Sequence, residues 1–226
     1  PPVRVDSSAN FDQNVLMAFS ADSFQRRVHT LLGLLISLVR VMWRGPRLLL
    51  IHLQPRRLGA RFREALWLAV SEVNGCRYCT YIHEGMAARE GLSPSDVELL
   101  LAGGDPSVNA LLGEHELLAV AYAKIWAETR GAPPQSMQRQ LRATLDERQR
   151  RDLHALLEAI DFANRSGNTL DSLLHRLGHP RRLLQPWGLL NDLIVGFLVA
   201  LFGWPALLVG AVQHWRNRRR AGAGRP

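Results

Sequence analysis

Residues 61–83 read RFREALWLAVSEVNGCRYCTYIH, and this stretch decides the fold. Its first half, residues 61–73, repeats leucine and valine at helical spacing on one face. The pair Asn74-Gly75 then breaks the helix, so that a second helix is expected over residues 76–89. The sequence therefore predicts two consecutive helices joined by a tight turn.

The rest of the chain favours helices as well. Strand patterns are scarce among its 226 residues, and runs of leucine, alanine, arginine and glutamate dominate. Helices are predicted over residues 23–43, ended by Gly45-Pro46, and over 113–129, 136–144 and 146–165, the last of which begins with an Asp146/Gln149 capping box. A further helix is predicted from Ser93 to Gly103-Gly104. We expect an all-α, multi-helix bundle with an apolar C-terminal helical segment. Its divisions are a lead-in (1–22), a helical domain (23–185) and an apolar segment with a basic tail (186–226).

The candidate chemistry lies at the start of the second helix of the quoted stretch. Cys76, Cys79 and His83 follow one another at spacings of three and four residues, which places all three on one helical face. Unpaired amides at a helix N-terminus stabilise a thiolate, and histidine exchanges protons near neutral pH. Glu64 comes twelve residues before Cys76, and its carboxylate could orient a proton relay if the two helices pack side by side.

Blander interpretations of these residues stay open. The two cysteines could form half of a zinc site completed by His83 and Glu64, or they could be buried, unreactive thiols. His83 could be structural, and Glu64 a solvated helix residue. The three residues of the second helix, taken together at this spacing, favour redox chemistry.

The same residues resemble a known signature. Glu64, eleven residues, the pair Cys76 and Cys79 as CxxC, three residues and His83 are similar to the pattern of the alkylhydroperoxidase D-like branch of the carboxymuconolactone decarboxylase family. The resemblance covers roughly residues 40–175 and implies an all-helical thiol-peroxidase domain that assembles as a homo-oligomer.

For the site, the resemblance implies reduction of alkyl hydroperoxides without metal, haem or other cofactor. Cys79 corresponds to the thiol that attacks the peroxide, Cys76 to its resolving partner, and His83 and Glu64 to the proton relay. An external dithiol would regenerate the pair. Tyr78 stands where the well-studied members carry a histidine, and is a candidate auxiliary residue. Two other functions remain as alternatives: a membrane-docked, non-catalytic redox sensor, and a lactone decarboxylase, a branch that generally lacks the cysteine pair.

The C-terminal part differs in character from the rest. The net charge is +8, and five arginines lie within the last eleven residues. Before them, residues 193–212 contain no charge, so this run predicts either a membrane contact or a helical pair buried in an oligomer. We expect a cytoplasmic protein with membrane association through 193–212 as one option. No specific nucleic-acid partner is expected, and no glycine-rich phosphate loop supports a nucleotide cofactor.

Overall fold

A computed structural model describes residues 27–54, 57–93, 95–96, 99, 112–178, 189–191, 193–199 and 201. All regular secondary structure in this part of the chain is helical, which confirms the all-α prediction. The principal helices are α1 (Leu31–Leu53), α2 (Ala60–Asn74), α3 (Arg77–Arg89), α4 (Glu114–Glu128), α5 (Gln135–Thr144) and α6 (Glu147–Leu177).

Helix α2 forms the centre of the bundle, since it packs against α3, α4 and α6. It is buried around most of its circumference and carries two of the fully buried leucines, Leu66 and Leu68. A helix that is enclosed in this way can bury polar groups, among them Glu64, only if neighbouring helices supply partners for them. The central position of α2 therefore brings its polar residues into contact with the cysteine helix, α3.

Helix α1 does not end at Gly45-Pro46, contrary to the sequence prediction, but continues to Leu53 with Pro46 in its interior. Proline removes one backbone hydrogen bond and disfavours a helix interior. On either side of it, Arg44 donates to Glu158 (3.0 Å) and Arg47 donates to Asp152 (2.8 Å), both on α6. These ion pairs, with the packing of α1 along α6, keep the helix continuous across the proline.

Helix α6 is also longer than the sequence predicts, ending at Leu177 rather than near residue 165. Its start is as predicted, because Asp146 and Gln149 form a reciprocal capping box. The expected end, near residue 165, is followed by Ser166-Gly167-Asn168, a run of poor helix formers that the helix passes through. Contacts of this run with the turn before Cys76, described below, hold the helix together there.

A buried acid ties the two long helices to the loop that follows α1. Asp152 on α6 is almost fully buried and accepts hydrogen bonds from Arg47 (2.8 Å) and Arg57 (2.9 Å). Two guanidinium groups compensate the charge of this one carboxylate.

The apolar C-terminal segment is described only in part. Residues 189–201 are helical wherever they are described, and Val195 and Val199 are buried against Leu34 of α1 and neighbouring side chains. The remainder of the predicted segment, from residue 202 onward, lies outside the described residues. No helix among the described ranges has the length and apolar character needed to cross a membrane.

Candidate active site

The turn between α2 and α3 fixes the position of the cysteines. Helix α2 ends at Asn74, and Gly75 takes a left-handed conformation with φ of 65°, which glycine adopts without steric cost. The Cys76 amide then donates to the Ser71 carbonyl at 3.1 Å. This local geometry turns the chain sharply, and Cys76 becomes the N-cap residue of α3.

Cys76 and Cys79 are joined as a disulfide, with their Cα atoms 5.3 Å apart. Both are buried, at 1% and 7% exposure respectively. The Cys79 amide donates to Cys76 Sγ at 3.3 Å, so one sulfur accepts a hydrogen bond from the first turn of α3. Since the amides at a helix N-terminus carry partial positive charge, this position favours the thiolate form once the pair is reduced.

The His83 imidazole and the Glu64 carboxylate meet across the interface of α2 and α3. His83 Nδ1 lies 2.8 Å from Glu64 Oε2, and Glu64 is only 3% exposed. A hydrogen bond from Nδ1 to the carboxylate leaves Nε2 as the nitrogen that can accept or donate a proton elsewhere. The structure thus brings the Glu64 carboxyl group into hydrogen-bond contact with the His83 imidazole, and His83 lies one helical turn beyond Cys79.

An aromatic column packs against this histidine. The ring centroids of Trp67 and His83 are 4.9 Å apart, and the imidazole of His52 stacks on Trp67 with a centroid distance of 5.9 Å. Trp67 follows Glu64 by three residues on α2, so both side chains that contact His83 come from one turn of one helix. Trp67 also packs against the hydrophobic core, so its contact with His83 restricts the orientation of the imidazole ring.

Gly167 of α6 was missed by the sequence analysis, and it lies directly against the disulfide. A Cβ atom at this position would be 3.0 Å from Cys76 Sγ and 3.5 Å from Cys79 Sγ. Only a residue without a side chain therefore allows α6 to approach both sulfur atoms without crowding Cys76. Nothing in the local pattern of residues 165–169 indicates such a contact, because it joins segments about ninety residues apart.

Polar residues on the same face of α6 brace the turn that precedes Cys76. Asn168 donates to the carbonyl of Asn74 at 2.8 Å, and the Asn74 side chain donates to Asp161 at 3.1 Å. One turn before Asn168, Asn164 accepts a hydrogen bond from Ser71 at 3.0 Å. The sequence did contain a signal for this set, since Asp161, Asn164 and Asn168 recur at spacings of three and four, which places them on one face of the helix.

Tyr78, the candidate auxiliary residue, is 43% exposed, whereas the two cysteines beside it are buried. Partial burial raises the pKa of its phenol. The structure therefore leaves the Tyr78 side chain accessible to solvent.

Among the residues that the structure describes, no group of three or more His, Cys, Asp or Glu side chains is placed to hold a metal ion.

The fold and the site define a class of protein: an all-helical bundle with a CxxC pair at a helix N-terminus and a histidine–glutamate pair one turn away. Residues 46–123, about a third of the chain, match the model of the carboxymuconolactone decarboxylase family. The matched segment contains Glu64, both cysteines and His83. The searches of curated proteins and of solved structures gave no match.

Proposed function

We propose that the protein reduces alkyl hydroperoxides through Cys79 and Cys76, as the alkylhydroperoxidase D-like branch of its family does. The observation that carries the proposal is the disulfide at the N-terminus of α3, one turn from an imidazole that is held by a buried carboxylate. The cysteine pair can cycle between the dithiol and the disulfide, and the imidazole of His83 can donate or accept a proton close to it.

The first step is attack of the Cys79 thiolate on the terminal oxygen of the hydroperoxide. The S–O bond forms as the O–O bond breaks, Cys79 becomes a sulfenic acid, and the alkoxide leaves. His83 supplies the proton that converts the alkoxide to the alcohol, and Glu64 stabilises the imidazolium from which the proton comes. Glu64 acts through His83, and is therefore a positioning residue in this scheme.

The second step is condensation of the Cys76 thiol with the sulfenic acid, which forms the disulfide and releases water. The third step is reduction by an external dithiol, which passes two electrons and two protons to the pair and becomes a disulfide itself. No cofactor takes part in this cycle. A compartment that keeps thiols reduced, such as the cytoplasm, suits it because the disulfide must be reopened at each turnover.

Consumption of tert-butyl hydroperoxide with dithiothreitol as reductant tests the proposal. We expect multiple turnovers per chain, no turnover for Cys79→Ser, and a single sulfenic acid, trapped by dimedone, for Cys76→Ser. If Cys79→Ser traps the sulfenic acid instead, the two roles are reversed.

The experiment also separates the alternatives. A disulfide that forms with peroxide only once per chain and is not turned over by the dithiol would indicate the redox sensor. An unreactive pair, with both thiols recovered after peroxide treatment, would contradict the redox proposal and leave lactone decarboxylation as the activity to test.

A further inference from the structure

We propose that the outward face of α1 is a homodimer seam, along which α1 of one chain packs on α1 of a second copy. Eleven large apolar side chains of this helix are between 40% and 84% exposed. They form two adjoining rows that run the length of the helix, and in each row successive residues are 4, 3, 4 and 7 positions apart in the sequence. One row consists of Leu31, Leu35, Leu38, Met42 and Leu49, the other of Leu32, Ile36, Val39, Trp43 and Leu50, and Leu53 lies beyond both. Alternating steps of four and three residues are the pattern by which helices pack on one another.

The area of this face is that of an interface. At roughly 180 Å² for each large apolar residue, the exposed fractions of the eleven side chains correspond to about 1,100 Å². The largest apolar patch of a typical monomer is about 300–600 Å², and a stable dimer buries about 800 Å² per partner. The face of α1 therefore exceeds what a monomer normally exposes and is sufficient for a dimer.

The charges of α1 favour a protein partner over a lipid surface. A helix that lies on a membrane directs basic side chains from its flanks toward the lipid headgroups. Two of the three arginines of α1, Arg44 and Arg47, are instead turned inward, where they pair with Glu158 and Asp152 of α6. Only Arg40 borders the outward face with its side chain exposed, so that the face offers few cations to anionic lipids.

The chain's own apolar tail is too short to cover the face. The uncharged run 202–212, which lies outside the described residues, would span about 16 Å as a helix, whereas the 23 residues of α1 span about 34 Å. A second copy of α1 has the required length and the same spacing, and pairing about a two-fold axis lets each copy use the same rows.

The test is sedimentation velocity of the full chain, without detergent, across micromolar concentrations. We expect a dimer or a higher oligomer for the native chain. The double variant Leu35→Glu/Met42→Glu should raise the dissociation constant by at least about 100-fold, because like charges would face each other across the seam. Ala88→Glu, at an exposed position of α3, is the matched control and should leave the assembly unchanged. The milder pair Leu35→Ser/Met42→Ser, checked by circular dichroism, replaces the glutamates if they impair folding.

Three results would overturn the seam. The native chain could be monomeric at every concentration, or its oligomer could be unaffected by both sets of α1 variants. A monomer that instead cosediments with phosphatidylcholine vesicles containing about one third phosphatidylserine, and loses this with the glutamates, would assign the face to a lipid surface.

Discussion

Substitution of Gly167 by alanine tests whether α6 is part of the redox site. The added Cβ would lie 3.0 Å from Cys76 Sγ and 3.5 Å from Cys79 Sγ. The first distance is shorter than an ordinary van der Waals contact, and Cys76 has little room to move because its amide and its sulfur are both hydrogen-bonded. We therefore expect overpacking of about 1–3 kcal/mol in the oxidised protein.

A second effect of this substitution has the opposite sign. Alanine in the interior of a helix is about 1 kcal/mol more favourable than glycine. The net change in the free energy of unfolding of oxidised Gly167→Ala should then be between about zero and 2 kcal/mol of destabilisation. Gly85→Ala on α3 is the matched control, since a Cβ there meets nothing within 4 Å. It should stabilise the protein by about 0.5–1 kcal/mol in either redox state.

Reduction should relieve the crowding, because the separated thiols can rotate away from α6. Guanidinium denaturation of both variants, with and without a phosphine reductant, measures the difference. Equilibration with dithiothreitol redox buffers, followed by thiol alkylation, should show that Gly167→Ala makes the disulfide easier to reduce. The reasoning is refuted if Gly167→Ala and Gly85→Ala change stability equally in the oxidised state and leave the thiol–disulfide equilibrium unchanged.

Three further outcomes are expected. Glu64→Gln should lower peroxide turnover by about 10²-fold, because the imidazole loses the carboxyl group that orients it. Glu72→Gln, which changes an exposed acid on the same helix, should leave the turnover unchanged, and equal turnover in the two variants would remove Glu64 from the site. Burial lowers the pKa of His29 from 6.5 to about 4, so the unfolded chain binds a proton in this window that the folded chain does not. Stability should accordingly fall as the pH drops from 6.5 to 4, by up to about 3 kcal/mol. His29→Gln should flatten this dependence in urea denaturation at several pH values, the exposed His115→Gln should not, and equal slopes for all three proteins would contradict the assignment. Asp152→Ala should cost about 3–5 kcal/mol in guanidinium denaturation, since two buried or half-buried arginines lose their shared partner, and a loss under about 1 kcal/mol would show that water replaces it.

The local elements of the site were determined by sequence. The helix over residues 61–73, the break at Asn74-Gly75 and the helix that carries the cysteines all follow from side-chain period and from the backbone freedom of glycine. These are interactions between residues at most a few positions apart, and so they can be read from the chain without knowledge of its fold. The spacing of Cys76, Cys79 and His83 on one helical face is of the same kind.

Tertiary structure alone decided which distant segments complete this local arrangement. The sequence indicated that Glu64 could serve the site, but only the packing of α2 on α3 places its carboxylate on His83 rather than in solvent. Likewise, the local sequence around Gly167 favours the end of a helix, because its residues have low helix propensity. The contacts that compensate for this are made with residues about ninety positions earlier in the chain. The proline within α1 is tolerated for a similar reason, since ion pairs to α6 flank it. In each case, contact energy between remote residues exceeds a local preference of about 1–3 kcal/mol, and that energy is absent from any local sequence pattern.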